Sequence, residues 1–411
     1  MTEATPASPM DGFPTRIDLD QAQALLSALA AARRMPIESL ATARADGRVL
    51  AADVVATVSL PGFDNSAMDG FAFRHADAAG RRLRIAGTQF AGQADAAPLA
   101  AGECVRITTG APLPRGADTI LIRELAREQD GQVHFDDLPA IGSFVRRAGE
   151  DVQAGDTVLE AGCVLTAARI GLAAAVGHAQ LSVFARPTVA VFATGDEIVE
   201  PGLPLAPGQI YNANRDLLMA RLRELGFTPV AWPTLPDDPV RIETLLRDAA
   251  AAFDVIVTCG GVSAGEKDYL PALLERIGRI HFWKVRMRPG MPVLCGELDR
   301  AVVMALPGNP VSVLATFTAF VQPLLAGLQG RTEPALRLYA ALATPWEKRQ
   351  PRQELLRGRL HCDARGQLQV TPNPADASHR LRGAADSNVL LVLAEGTRTY
   401  AAGEVVEVLR Y

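Results

Sequence analysis

No C-x-x-C pair occurs in this chain, and its five cysteines (Cys104, Cys163, Cys259, Cys295, Cys362) are odd in number and lie far apart. That spacing argues against a zinc cage or a disulfide framework and favours a reducing compartment, so the cytoplasm is the expected location. Basic residues are not in excess: Lys and Arg total 41 against 46 Asp and Glu, a net charge of −5. General attraction to nucleic acid or to an anionic membrane is therefore not expected, and any anion must be held by a local cluster. The most apolar run, Ile170 to Val176, is far shorter than the about 20 residues a bilayer helix needs. Residues 1–15 lack both a basic start and an apolar stretch, so they read as a disordered tail rather than a signal peptide. With 48% hydrophobic and 21% charged residues, the chain has the composition of a globular protein, and 411 residues imply two to four packing units.

Leucines recur at helical spacing between Asp18 and Arg34 behind a cap at Asp18, and Pro36 ends the pattern. From Val49 to Leu159 short alternating runs broken by Gly and Pro read as mainly β. Beyond Pro187 the pattern becomes strand, loop and helix in alternation: Val189–Ala193, Asn214–Leu225, Val230–Trp232, Asp238–Phe253, Val255–Thr258, Leu270–Ile277. Such alternation predicts an α/β fold with a doubly wound parallel sheet covered on both faces. After Arg331 five short β-like runs predict a small all-β, barrel-like C-terminal domain. The expected division is 16–58 with 147–186 as an N-terminal linker or dimerisation domain, 59–146 as an inserted mainly β domain, 187–330 as the α/β domain and 331–411 as the terminal domain.

In an open parallel sheet, ligands bind beyond the C-terminal ends of the strands, where helix N-termini offer unpaired N–H groups to anions. Each such loop here carries a carboxylate: Thr194-Gly195-Asp196-Glu197, Pro236-Asp237-Asp238, and the glycine-rich Gly260 to Asp268 with Gly261, Ser263 and Gly265. Mg²⁺ suits carboxylates converging beside a phosphate, so Glu197, Asp237 and Asp268 are the candidates, with Asp237 and Asp268 as the metal ligands. Taken singly, each acid reads more simply as a helix cap (Asp196, Asp238) or a solvated side chain; only their joint placement favours a site.

Between Phe282 and Gly290, an extended chain places Lys284, Arg286 and Arg288 on one face and Val285 and Met287 on the other. In an acidic chain such a basic face suggests an oxyanion clamp, against the plainer reading of a charge-protected edge strand. Pro307-Gly308-Asn309-Pro310 forms a rigid loop opening a helix, with backbone N–H groups that can face a ligand. Gly261 to Gly265 also matches a G-x-S-x-G nucleophile turn at Ser263, but the histidines in the required order, His361 and His379, fall in the β tail. The run Gly260 to Lys267 falls one residue short of a phosphate-binding Walker loop. None of the six histidines has metal-pair spacing, and none is assigned a role.

Several stretches together resemble the molybdopterin molybdenumtransferase (MoeA-type) family: Pro61 to Gly70, Thr109-Gly110-Ala111-Pro112, Arg146 to Asp151, Thr194 to Glu197, Gly260 to Asp268, Lys284 to Pro292 and Leu306 to Pro310. The resemblance runs in order from about Ile17 to the C-terminus. It implies a homodimer of four-domain subunits whose cleft joins the α/β domain of one copy to the N-terminal β region of the other. It further implies an activity that cleaves adenylated molybdopterin, releases AMP and inserts molybdenum from molybdate with the help of a divalent cation, Mg²⁺. By matching position it puts functional weight on Asp69, Thr109, Asp151, Glu197, Asp237, Asp268, Lys284 and Ser378, with Pro307 and Pro310 shaping their loop. The molybdopterin adenylyltransferase and apo-molybdoenzymes are the protein partners it suggests. Arg288-Pro289-Gly290-Met291-Pro292 departs from the family's Lys-Pro-Gly-Lys-Pro: one cation becomes Arg and the other is lost. The rival readings are the adenylation step itself and a scaffold that binds molybdopterin without turnover.

Overall fold

The computed structural model describes residues 12–93, 98–263 and 265–411, which fall into two compact units. One holds the described residues through Glu38 together with Phe184–Tyr411, the other Ser39–Val183.

The centre of the first unit is a seven-stranded sheet in the order Thr15–Ile17, Arg279–Val285, Leu294–Leu298, Ala301–Leu306, Val255–Cys259, Val189–Ala193, Val230–Ala231. The last four strands are parallel, as the alternating pattern predicts. Leu294–Leu298 runs antiparallel to both its neighbours, a departure from a purely parallel sheet. The turn at Asp299 and Arg300 explains it, since a short connection between adjacent strands can only build a hairpin. Val189–Ala193, Val255–Cys259 and Ala301–Leu306 are buried throughout, whereas the edge strand Val230–Ala231 is exposed, and apolar residues on alternate sides of the buried strands pack into two separate cores, one beneath each layer of helices.

The N-terminal segment belongs to this unit, contrary to its expected place with residues 147–186. Asp18 and Gln21 form a reciprocal capping box for the helix Leu19–Ala32. That helix buries Leu19, Ala22, Leu26, Leu29 and Ala30 in the same core as Phe320, Leu324 and Leu328. Thr15, expected in the tail, pairs with Trp283 in the sheet; residues 1–11 of that tail lie outside the described residues. The helical stretch Pro310–Leu328 is long and apolar enough to span a membrane by length and composition, but 78% of it is buried. Its apolar side chains are committed to the protein core, and the run Ile170 to Val176 is shorter than this one.

The C-terminal β part closes on itself. Gln353–Cys362, Leu368–Pro372, Leu338–Leu342, Val405–Arg410 and Val389–Leu393 pair in succession, and the last returns to the first. The ring surrounds its own core, which includes Leu356, Val370, Leu391 and Val408. The second unit contains a six-stranded sheet (Thr119–Ile122, Gly70–Phe73, Glu103–Ile107, Arg82–Gln89, Gln132–His134, Arg127–Gln129). A separate core within it gathers Leu50, Val54, Val152 and Leu181 with Ala173 and Val176 from the helix Ala167–Ala175 and its C-cap.

Candidate functional site

A cleft of about 650 Å³ opens at the C-terminal ends of the parallel strands in the first unit. It is lined by Glu197, Asp237 and Asp268 from three successive strand-to-helix loops, by Gly260, Gly261 and Ser263, and by Pro307, Gly308, Asn309 and Pro310. The acids that looked isolated in sequence thus share one cavity, because adjacent parallel strands deliver their loops to the same edge.

Local hydrogen bonds explain each placement. Gly195 takes φ +119°, and the Glu197 carboxylate lies where a side chain on Gly195 would project, so glycine lets the acid fold back over the turn. Asp237 is anchored through its backbone N–H, which donates to Asp196 Oδ1 at 3.2 Å. Asp238 does cap its helix, accepting from Val240 N at 2.9 Å. Asp268 Oδ2 accepts from Gly265 N at 2.8 Å and so closes the glycine-rich turn. Gly260 donates to Leu306 O at 2.9 Å, at φ +98°, against Thr194. Buried Trp283 holds the same loop by donating from Nε1 to Val262 O at 3.0 Å.

Several cleft residues were not singled out from the sequence. Lys267 donates to Asp237 Oδ2 at 2.7 Å. Asn214, in the first turn of the helix Ala213–Glu224, donates to Gly308 O at 2.6 Å and ties the rigid loop in place. Tyr211 and Asn212 line the wall. Asn309 donates to Ser378 Oγ at 3.0 Å, and Ser378 O accepts from Val311 N at 3.2 Å. The same segment carries His379 into the cleft, contrary to its dismissal as a residue of the β tail. Buried Arg357 fixes that segment, donating to the carbonyls of Arg380 (2.7 Å), Ala377 (3.1 Å) and Ala375. A lysine beside the glycine turn was open to notice; the arrival of His379 depends on tertiary packing and leaves no sequence signal.

The nucleophile reading of Ser263 finds no support in a histidine partner: no hydrogen bond joins it to His379 among the described residues. Cys259 also lines the cleft, but burial pushes its thiol up to about 12 and its Sγ donates to Phe192 O, so it is no thiolate at neutral pH.

The basic segment behaves differently. Val285 and Met287 are fully buried and Lys284, Arg286 and Arg288 are not, as alternation predicts. None of the three cations is among the cleft-lining residues. Arg288 pairs with Asp376 at 2.8 Å and Glu354 at 3.4 Å, and Arg286 with Glu395 at 3.0 Å and Asp18 at 3.7 Å. Lys284 sits at φ +63° with its Nζ 3.8 Å from the Trp283 ring centroid, and burial lowers its pKa.

Asp69, Thr109 and Asp151 belong to the second unit. Thr109 donates to Asp69 Oδ1 from both its backbone N (2.7 Å) and its hydroxyl (2.8 Å), and these bonds, the backbone one foremost, hold the carboxyl below its usual range. Asp151 is exposed, and its backbone N–H donates to Leu60 O at 3.1 Å.

The described residues contain no cluster of three or more His, Cys, Asp or Glu suited to enclosing a metal. A Mg²⁺ ion does not require one, since it commonly takes one or two carboxylates and completes its shell with water and phosphate oxygens. Asp237 and Asp268 each engage only Oδ2, leaving Oδ1 without a protein partner among the described residues. The donor set therefore fits a divalent cation shared with a phosphate-bearing ligand.

A doubly wound core with acid-bearing and glycine-rich loops around one cleft, preceded and followed in the sequence by β-rich parts, defines a multidomain α/β protein with a candidate ligand cleft. Family models match along nearly the whole chain: "MoeA N-terminal region (domain I and II)" over residues 17–177, "Probable molybdopterin binding domain" over 190–327 and "MoeA C-terminal region (domain IV)" over 339–411. The molybdopterin molybdenumtransferase of Haemophilus influenzae is 38% identical over 90% of this chain and 93% of its own length. Molybdopterin molybdenumtransferase 2 of Mycobacterium tuberculosis is 40% identical over 89% of this chain and 93% of its own. The crystal structure of the molybdopterin biosynthesis MoeA protein from Pyrococcus horikoshii OT3 superposes with a TM-score of 0.81 at 25% identity, covering 96% of this chain and all of that one. The chain belongs to the molybdopterin molybdenumtransferase (MoeA) family.

Proposed function

We propose that this protein catalyses the molybdenum-insertion step of molybdenum cofactor biosynthesis, acting on adenylated molybdopterin and molybdate and releasing AMP. The observation that carries the proposal is the gathering of Glu197, Asp237 and Asp268 in one cleft within the segment matched to a molybdopterin-binding domain.

Cleavage of the phosphoanhydride forms one P–O bond to water, breaks the bridging P–O bond and releases AMP and a proton. In this reading Glu197, whose carboxylate folds back over Gly195, orients that water. Asp237 and Asp268 would hold a divalent cation, Mg²⁺ in this reading, which would supply charge neutralisation at the phosphate oxygens. The rigid Pro307 to Pro310 loop, braced by Asn214 and Ser378, positions the ligand against the N-terminus of the helix that follows. Lys284 and Arg288, outside the cleft lining, reach the leaving AMP only by weak long-range charge. A homodimer is part of the reading, with Asp69, Thr109 and Asp151 supplied by the partner copy. So are a cytoplasmic location and contacts with the molybdopterin adenylyltransferase and apo-molybdoenzymes; family membership is the support for these.

The test is AMP release from adenylated molybdopterin by purified protein, with divalent cation and molybdate each added or withheld. Release that requires both is the expected result. Tight binding of the adenylated pterin without any release would make the protein a carrier and overturn the catalytic reading.

A further inference from the structure

Among the described residues lining the cleft, Lys267 is the one lysine or arginine, and it is engaged by an acid. Its Nζ reaches from the turn after the strand Val255–Cys259 to Asp237 Oδ2, 2.7 Å away, in the loop after Val230–Ala231. The lysine side chain is 71% exposed and the Asp237 side chain only 18%. Both anchors stand without the pair. Asp237 is held through its backbone by Asp196, and the base of Lys267 by the bonds between Gly265 and Asp268. Only the flexible lysine stem is free to choose another partner.

Exposed lysine–carboxylate pairs are weak, and an ammonium on a four-carbon stem changes partner readily. A divalent cation brings twice the charge to the same carboxylate. We propose that Lys267 competes with a divalent cation for Asp237 in the ligand-free protein and, once displaced, pairs with a phosphoryl oxygen of the bound ligand. The inference rests on the reading of the cleft given above. It assigns Lys267 opposite effects on two ligands: it weakens cation binding to the empty cleft and strengthens phosphate binding to the loaded one. A lysine that merely braced two loops would show neither.

The experiment uses the full chain and Mn²⁺ as the probe, with free Mn²⁺ followed by electron paramagnetic resonance. Lys267→Met should bind Mn²⁺ about two- to fivefold more tightly than wild type, the change expected when an exposed ion pair no longer competes for the Asp237 carboxylate. At saturating Mn²⁺ the same variant should bind AMP more weakly by a similar factor. In an Asp237→Asn background, Lys267→Met should leave Mn²⁺ affinity unchanged. Equal Mn²⁺ curves for wild type and Lys267→Met, including no binding by either, overturn the inference. AMP release by wild type is read separately: release with unchanged Mn²⁺ affinity removes only the role of Lys267, whereas absence of release under every condition removes the parent reading.

Discussion

The acid-bearing loops and the basic segment Lys284–Arg288 are both dense in charge, yet only the loops open onto the cleft. Among the described residues Glu197 and Asp268 carry no ion pair, and Asp237 meets one exposed lysine. Arg286 and Arg288, by contrast, each meet two carboxylates. A charged group already balanced by neighbours has less to offer a ligand than one left open at the end of a strand. Density of charge along a sequence therefore identifies a site only where topology leaves that charge unbalanced.

The largest effect that sharpens this contrast is expected from Asp268→Asn. The amide keeps an acceptor for Gly265 N but loses the charge, so AMP release should fall by about 100-fold or more while thermal unfolding is unchanged. Unchanged turnover would remove Asp268 from the mechanism. Next, Gly260→Ala forces a side chain into Thr194 at a backbone φ of +98°. It should cost about 1–3 kcal/mol in urea unfolding and lower activity with it; full stability would show that the glycine turn is not tight.

On the basic side the expected effects are structural. Glu354 is 3% exposed, and burial raises its pKa above the ordinary glutamate range while Arg288 pulls it back. Arg288→Met should destabilise the protein by about 1–2 kcal/mol at neutral pH, below the range for a fully buried pair because Arg288 is one-third exposed. A carboxyl with a raised folded-state pKa favours folding at low pH and loses that contribution as pH rises through the raised value. Without Arg288 the value rises further, so the variant's deficit should be smallest in the ordinary glutamate range and largest at neutrality. Denaturant midpoints measured from pH 4 to pH 8 would check this, and a pH-independent deficit would count against it. The smallest effect belongs to Arg286→Ala: its partners Asp18 and Glu395 are 34% and 43% exposed, and the melting temperature should not move.

Much of the α/β core was legible because its strands are short, apolar and bounded by capped helices; Asp18 and Asp238 mark helix starts that the structure also shows. The antiparallel strand Leu294–Leu298 was missed since its residues read like those of any buried strand, and direction is set by the connection. The first helix was misplaced because its apolar stripe says that it packs, but not on what. In the cleft, the acids and glycines could be read from loop position alone. Asn214 and His379 could not, since their approach depends on contacts between elements distant in sequence.

The central claim is that the carboxylate cleft, supplied with molybdate and a divalent cation, completes the cofactor. It is tested most directly by adding purified protein, adenylated molybdopterin, Mg²⁺ and molybdate to a cofactor-free molybdoenzyme and measuring the activity restored. Restoration that saturates with molybdate and is lost with Asp268→Asn is the predicted result. Restoration by Asp268→Asn equal to wild type, or none by wild type despite tight binding of the adenylated pterin, would contradict the account.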